Sequence, residues 1–233
     1  MSSELPAFWL VIPAAGIGSR MRADRPKQYL HLAGRSLLEQ SLAVFLEHPR
    51  LLGCMVALAA DDPWWPQLAC ATDPRVRRCT GGGERADSVL AALRALRAQG
   101  AGAQDWVLVH DAARPNLAQE DLQRLLAELA DDPVGGLLAV PARDTLKRIG
   151  ADGRVRETVD RSTIWHAYTP QMFRLGALLQ SLAAALAAGA TVTDEASAME
   201  WAGLAPRLIE GRADNIKVTR PEDLAALELA WQR

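Results

Sequence analysis

Apolar residues in this chain alternate between short unbroken runs and stretches of helical spacing. The runs at 8–12, 55–60, 106–109 and 134–140 are bounded by polar or glycine-bearing turns, the pattern of strands buried on both faces. Between them, 36–47, 85–99 and 119–130 repeat apolar residues at helical intervals. Leu122, Leu125, Leu126 and Leu129 form the clearest stripe. Such β-α-β alternation predicts an α/β fold, a mostly parallel sheet with helices on both faces. In sheets of that kind ligands gather at the carboxyl ends of the strands. The loops to read closely are therefore 13–27, 80–88 and 110–116.

Residues 143–161 break the alternation. Lys147-Arg-Ile, Gly150-Ala-Asp-Gly153 and Arg154 to Val159 read as a hairpin around a glycine turn, too short and polar to be a domain. We expect one domain over 1–233 with this hairpin projecting as an arm. Helices follow at 175–188 and 194–202. A last helix opens at Thr219-Arg-Pro-Glu222, a capping box with proline in the first turn. Leu175 to Thr193 carries no charge, but its leucines at 175, 178, 179, 182 and 186 form one stripe ahead of Gly189. That is a domain helix and not a membrane span.

Composition narrows the class. With 233 residues the chain can bury a substantial core, and 49% hydrophobic with 23% charged residues is ordinary for a globule. A net charge of −2 offers no basic face for nucleic acid, so any phosphate recognition is local. Cys54, Cys70 and Cys79 are odd in number and lack C-x-x-C spacing, against a disulfide framework or zinc site and in keeping with a reducing compartment. The amino terminus has neither the basic nor the apolar part of a signal peptide, so a cytoplasmic location is expected.

Three loops carry chemistry. Pro13-Ala14-Ala15-Gly16-Ile-Gly18-Ser-Arg20 leaves the first strand as a small-residue turn, followed by Pro26-Lys27-Gln28. Exposed backbone N–H groups in such a turn make a nest for an anion, and Arg20 and Lys27 add two cations. The third glycine of the dinucleotide fingerprint is missing, since Met21 stands there, and no Gly-Lys-Ser/Thr run is present. Read alone, the segment also fits a simple turn. Gly81-Gly82-Gly83-Glu-Arg85, with Ser88 in the next helical turn, lets backbone approach a flat ligand. It equally fits a flexible loop with a helix-start serine. At Val109-His110-Asp111-Ala-Ala-Arg114, Asp111 suits one carboxylate contact to Mg²⁺ and Arg114 a fork onto phosphate. A helix cap with a surface partner is the plain alternative for that pair. His110 reads as a satisfied residue at the strand end. No nucleophile elbow or supported Cys–His pair is visible. Transfer between two phosphates needs neither, because the attacking oxygen is already ionised.

In order, the motifs Pro-Ala-Ala-Gly-x-Gly-x-Arg-Met, Pro-Lys-Gln-Tyr, Gly-Gly-x-Glu-Arg-x-x-Ser-Val, Val-His-Asp-Ala-Ala-Arg-Pro, Arg-Asp-Thr-x-Lys-Arg, Thr-Val-Asp-Arg, Thr-Pro-Gln, Thr-Asp-Glu-Ala-Ser-Ala and Asn-Ile-Lys-Val-Thr span nearly the whole chain. Together they resemble the 2-C-methyl-D-erythritol 4-phosphate cytidylyltransferases of non-mevalonate isoprenoid biosynthesis. The resemblance implies a Rossmann-like nucleotidyltransferase sheet and transfer of CMP from CTP to the acceptor phosphate, with Mg²⁺ at Asp111. It implies that Pro13, Ala14, Ala15, Gly16 and Gly18 hold the CTP phosphates and that Arg20 and Lys27 stabilise the transition state. Gly82, Arg85 and Ser88 would lie along cytosine and ribose. Arg114, Thr145, Arg161, Thr169 and Lys217 would hold the acceptor, Arg161 and Lys217 also serving catalysis. The arm would cross to a second subunit in a homodimer, so that Thr145 and Arg161 serve the neighbouring site. Gly83 departs from the small polar or acidic residue common in the family, leaving any ribose contact there to the backbone. The rival expectation is a cytidylyltransferase for another polyol phosphate, such as ribitol 5-phosphate.

Overall fold

The structure is a computed structural model and describes residues 4–16, 21 and 24–231. The elements begin with β1 (Phe8–Pro13), β2 (His31–Leu32), β3 (Arg35–Ser36), α1 (Leu37–Leu46), β4 (Leu51–Leu58), β5 (Val76–Thr80), α2 (Arg85–Ala98) and β6 (Trp106–Val109). They continue with α3 (Gln119–Leu129), β7 (Gly135–Pro141), β8 (Leu146–Ile149), β9 (Val155–Val159), β10 (Trp165–Arg174), α4 (Leu175–Ala187), α5 (Glu195–Trp201), β11 (Arg207–Glu210) and α6 (Pro221–Trp231).

Seven strands make the central sheet in the order β11-β7-β10-β6-β1-β4-β5. β10 runs antiparallel to both its neighbours, and the other pairings are parallel. The strand alternation of β1 sorts the core into two layers. Phe8, Leu10 and Ile12 join the layer containing Leu42 and Phe45 of α1 and the leucine stripe of α3. Val11 points the other way, into the layer of Val89 and Leu93 from α2 and Leu178 and Leu182 from α4. Each such leucine contributes about 1.5–3 kcal/mol by leaving water. Leu93→Ala, at a fully buried position, would cost about 2–5 kcal/mol once the cavity is included. A third cluster of Met21, Leu32, Leu37, Ala113, Val218 and Leu227 packs α6 over the loop that follows β6.

The parallel sheet and its helices match the expectation, and the differences have local causes. β4 begins at Leu51 and ends at Leu58, so 59–60 belong to the following turn. β5, β10 and β11 were not anticipated from the pattern. β5 reads Val-Arg-Arg-Cys-Thr because it lies at the sheet edge, where one side of the strand meets water. β10 carries a proline and a register shift after Ala167, which hide its periodicity. β11 is four residues long. The last helix is capped by Asp223 rather than Glu222, because the helix starts one residue later than the motif implies. The Asp223 carboxylate accepts from Thr219 N–H (2.8 Å), the Thr219 hydroxyl (2.8 Å) and Arg220 N–H (2.9 Å).

β8 and β9 form the antiparallel hairpin, with Gly153 at φ 74° in its turn. All but the end residues Leu146 and Val159 of its two strands are exposed, Ile149 and Val155 among them. α4 is 13 residues long, and among the described residues no helix is long and apolar enough to cross a membrane.

Candidate active site

The three loops singled out in the sequence leave the carboxyl ends of β1, β5 and β6 and meet there. The first is fixed by polar contacts on both sides of the segment outside the described residues. Ala14 N–H donates to the Ala57 carbonyl (2.8 Å). The Ala14 carbonyl accepts from the buried Gln28 amide (2.7 Å), which brings the Lys27–Tyr29 turn against β1. Lys27 Nζ donates to the Val218 carbonyl (3.2 Å). A side chain at Gly16 would meet nothing within 4 Å, so packing does not demand glycine there. What glycine leaves is open space beside the backbone. Gly18 and Arg20 lie outside the described residues.

The second loop is glycine for a different reason. A Cβ on Gly81 would stand 2.6 Å from the Ala15 Cβ and 2.8 Å from the Ser88 hydroxyl, and one on Gly82 would strike the Asp87 side chain. The loop thus lies flat against the first one. Ser88 is buried; its hydroxyl donates to the Glu84 carbonyl (3.1 Å) and accepts from Gly82 N–H (3.1 Å). The expected hydroxyl is present but already serves the loop.

Asp111, at the end of β6, is 6% exposed and ringed by cations. Its Oδ1 accepts from Arg85 Nε (3.0 Å), while Oδ2 faces Lys217 Nζ (2.9 Å) and Arg114 Nε (3.4 Å). Burial pushes its carboxyl up, but Arg85, then Lys217 and Arg114, outweigh burial and hold it well below the usual carboxylate range. Arg85 is forked in turn onto Glu195 (2.6 and 3.1 Å), a buried carboxylate in the first turn of α5. Arg114 is buried, donates to the Asn215 carbonyl (2.7 Å) and stacks on Tyr168 at 4.5 Å.

Beneath this wall lies a neutral relay. Asp111 N–H donates to Thr169 Oγ1 (3.1 Å). His110 Nε2 donates to the Arg114 carbonyl (3.0 Å), and with burial lowering its pKa to about 4 its Nδ1 accepts from the Thr169 hydroxyl (3.0 Å). His110 is thus the satisfied residue the sequence suggests, and it fixes the loop that carries Asp111 and Arg114.

Two cavities open on the wall. One, of about 220 Å³, is lined by Pro13, Ala14, Gly16 and Lys27; the other, of about 250 Å³, by Arg114, Tyr168, Thr169 and Thr193. Arg85, Asp111 and Lys217 line both. Thr145 and Arg161 line neither; they sit exposed at the base of the hairpin, where Arg161 donates to the Arg143 carbonyl. A larger cavity of about 520 Å³, between Arg35, Glu39, Cys70 and Arg75, lies away from these loops.

Sequence reading missed Glu195, Gln171 and Asn215 as parts of the site. Gln171, also buried, accepts from Ala196 N–H (2.8 Å) and donates to Asp194 (2.9 Å), seating the start of α5 under Arg85. Asn215 donates to the Thr169 carbonyl (2.9 Å). The available signal for Glu195 was Asp194-Glu-Ala-Ser197, a capping pattern ahead of a helix.

Two cavities joined by one carboxylate and two cations, at the carboxyl ends of parallel strands, define an α/β protein shaped to bring two anionic ligands together. Similar proteins make the class specific. The family model described as "IspD: 2-C-methyl-D-erythritol 4-phosphate cytidylyltransferase" matches residues 8–233. A 2-C-methyl-D-erythritol 4-phosphate cytidylyltransferase of Ectopseudomonas mendocina is 74% identical over 224 residues, 96% of this chain and 95% of the relative. A crystal structure of 4-diphosphocytidyl-2C-methyl-D-erythritol synthase has TM-score 0.83 at 38% identity, covering 98% of this chain and 100% of that one. The Francisella tularensis 2-C-methyl-D-erythritol 4-phosphate cytidylyltransferase has TM-score 0.83 at 35% identity, covering 97% and 100%. The chain belongs to the 2-C-methyl-D-erythritol 4-phosphate cytidylyltransferase family.

Proposed function

We propose that this protein transfers CMP from CTP to 2-C-methyl-D-erythritol 4-phosphate, releasing pyrophosphate and 4-CDP-2-C-methyl-D-erythritol, by direct attack of the acceptor phosphate on the α-phosphorus. The observation that carries the reading is the wall of Arg85, Asp111 and Lys217 shared by two cavities. The barrier to joining two phosphates is mutual repulsion and charge on the transferring centre, and fixed cations relieve both. The triphosphate belongs in the cavity of Pro13 to Gly16 and Lys27, the resemblance adding Gly18 and Arg20, and the base along Gly82, Arg85 and Ser88. The acceptor belongs in the cavity of Arg114 and Thr169, with Lys217 reaching both ligands. Lys27 and Lys217 stabilise the charge that builds on the transferring phosphoryl.

Asp111 suits Mg²⁺. Among the described residues no group of three His, Cys, Asp or Glu is placed to hold a metal unaided. Mg²⁺ takes one or two protein carboxylates and fills its shell with water and phosphate, so a single carboxylate beside a phosphate cavity would suffice once an Asp111 oxygen exchanges its Lys217 or Arg114 contact for the ion. When bound, the dication supplies further neutralisation of the triphosphate oxygens.

The hairpin supports a homodimer reading. Thr145 and Arg161 line neither cavity of their own chain, and the resemblance assigns them to the acceptor. Both fit if one domain extends its arm over the partner's site. A cytoplasmic location accords with free Cys54, Cys70 and Cys79. The test is incubation with CTP, Mg²⁺ and either methylerythritol phosphate or ribitol 5-phosphate, with pyrophosphate and product measured. We expect a strong preference for the first acceptor; preference for ribitol 5-phosphate would overturn the reading.

A further inference from the structure

We infer that Asp62, in the loop after β4, is a positioning residue for Lys27, acting through the Tyr29 hydroxyl. The inference rests on the role proposed above for Lys27. The two oxygens of Asp62 do separate jobs. Oδ1 accepts from Trp64 N–H (3.0 Å) and Trp65 N–H (3.1 Å), which suffices to cap the short turn there. Oδ2 accepts from the Tyr29 hydroxyl (2.8 Å), a residue outside that turn and far from it in sequence.

Tyr29 closes the Lys27–Tyr29 turn and is buried in the core layer of α1 and α3. Burial, reinforced by Asp62, pushes its phenol well above the ordinary range, so the hydroxyl stays a donor. The Arg25 guanidinium lies 4.8 Å over the Trp64 ring, a second link between the same two segments. The turn is therefore tied to the end of β1 by Gln28 and Ala14, and to the β4 loop by Tyr29 and Asp62. Lys27 itself is directed toward the Val218 carbonyl, at the edge of the first cavity. Losing the Tyr29–Asp62 tether frees one end of the turn but removes no group that lines the cavity.

A double-mutant cycle tests this. In the otherwise unchanged protein, Tyr29→Phe should lower kcat about tenfold, the scale of effect expected when a catalytic group is slightly misplaced. The CTP dissociation constant should change less than about twofold. In a Lys27→Ala background the same substitution should lower the residual kcat by less than about twofold. Asp62→Asn, run through the same cycle, carries the test should Tyr29→Phe fold poorly. An equal loss in both backgrounds, or no loss in either, would overturn the inference. If Lys27→Ala alone leaves kcat unchanged, it is the role of Lys27 that fails.

Discussion

The wall around Asp111 and the hairpin of β8 and β9 are both dense in charge, yet they behave as opposites. In the wall, both carboxylates and Arg114 are buried, Arg85 and Lys217 are half-buried, and each carboxylate is shared or forked. In the hairpin, Arg148 meets Glu157 at 2.6 Å, but their side chains are 65% and 58% exposed. Distance alone does not rank these pairs; burial does. An exposed pair contributes about 0–1 kcal/mol, whereas breaking a buried one costs about 3–5 kcal/mol because the remaining charge is stranded. The wall is therefore a rigid part of the fold that also lines both cavities. The hairpin gains little from its own charges.

The largest effect expected from this contrast is on stability. Asp111→Ala leaves the buried Arg114 without its carboxylate and should cost about 3–5 kcal/mol, read by denaturant unfolding. Acid should act on the same place. His110, lowered to about 4 by burial, takes up a proton more readily when unfolded, so stability falls as pH drops from the ordinary histidine range toward 4. The expected loss is about 3 kcal/mol. Asp111, held below the usual carboxylate range, contributes stability that is present above its unfolded pKa and is lost as pH falls further. A midpoint unchanged between pH 7 and 4.5 would contradict the buried-relay picture.

Next in size is Lys27→Ala. Turnover should fall by about 100-fold or more, the scale of one lost transition-state contact, with CTP affinity changing far less. An equal loss of affinity and rate would make Lys27 a ground-state binding residue. Arg161→Ala should raise the acceptor KM about tenfold or more while leaving CTP binding intact, as for loss of one charged contact. Mixing Arg161→Ala with Lys27→Ala protein sharpens the comparison, since a shared site recovers roughly a quarter of wild-type activity from random heterodimers. No recovery in demonstrably mixed dimers would return the arm to its own subunit. Smallest of all, Arg148→Ala should change stability by less than about 0.5 kcal/mol.

Much of this organisation was legible in the chain, and the illegible parts share a cause. The strands β1, β6 and β7 announce themselves because both faces are buried, and α3 because one face is. β5 is written in arginines since an edge needs solubility more than packing, and β10 is interrupted where it serves the second cavity. Within the site, Lys27, Arg85, Asp111 and Arg114 stood out as charges near glycines or strand ends, whereas Lys217 entered only through the family resemblance. Glu195 did not, because its importance lies in a contact to Arg85, 110 residues away. His110 and Thr169 likewise gain meaning from pairing across β6 and β10, which local sequence cannot display.

The proposed transfer is a single displacement at phosphorus across the shared wall. Its most direct test is the stereochemical course with CTP made chiral at the α-phosphorus by sulfur substitution. Inversion of configuration is expected in the CDP-linked product; retention, the mark of a nucleotidylated enzyme between two displacements, would rule out the single step.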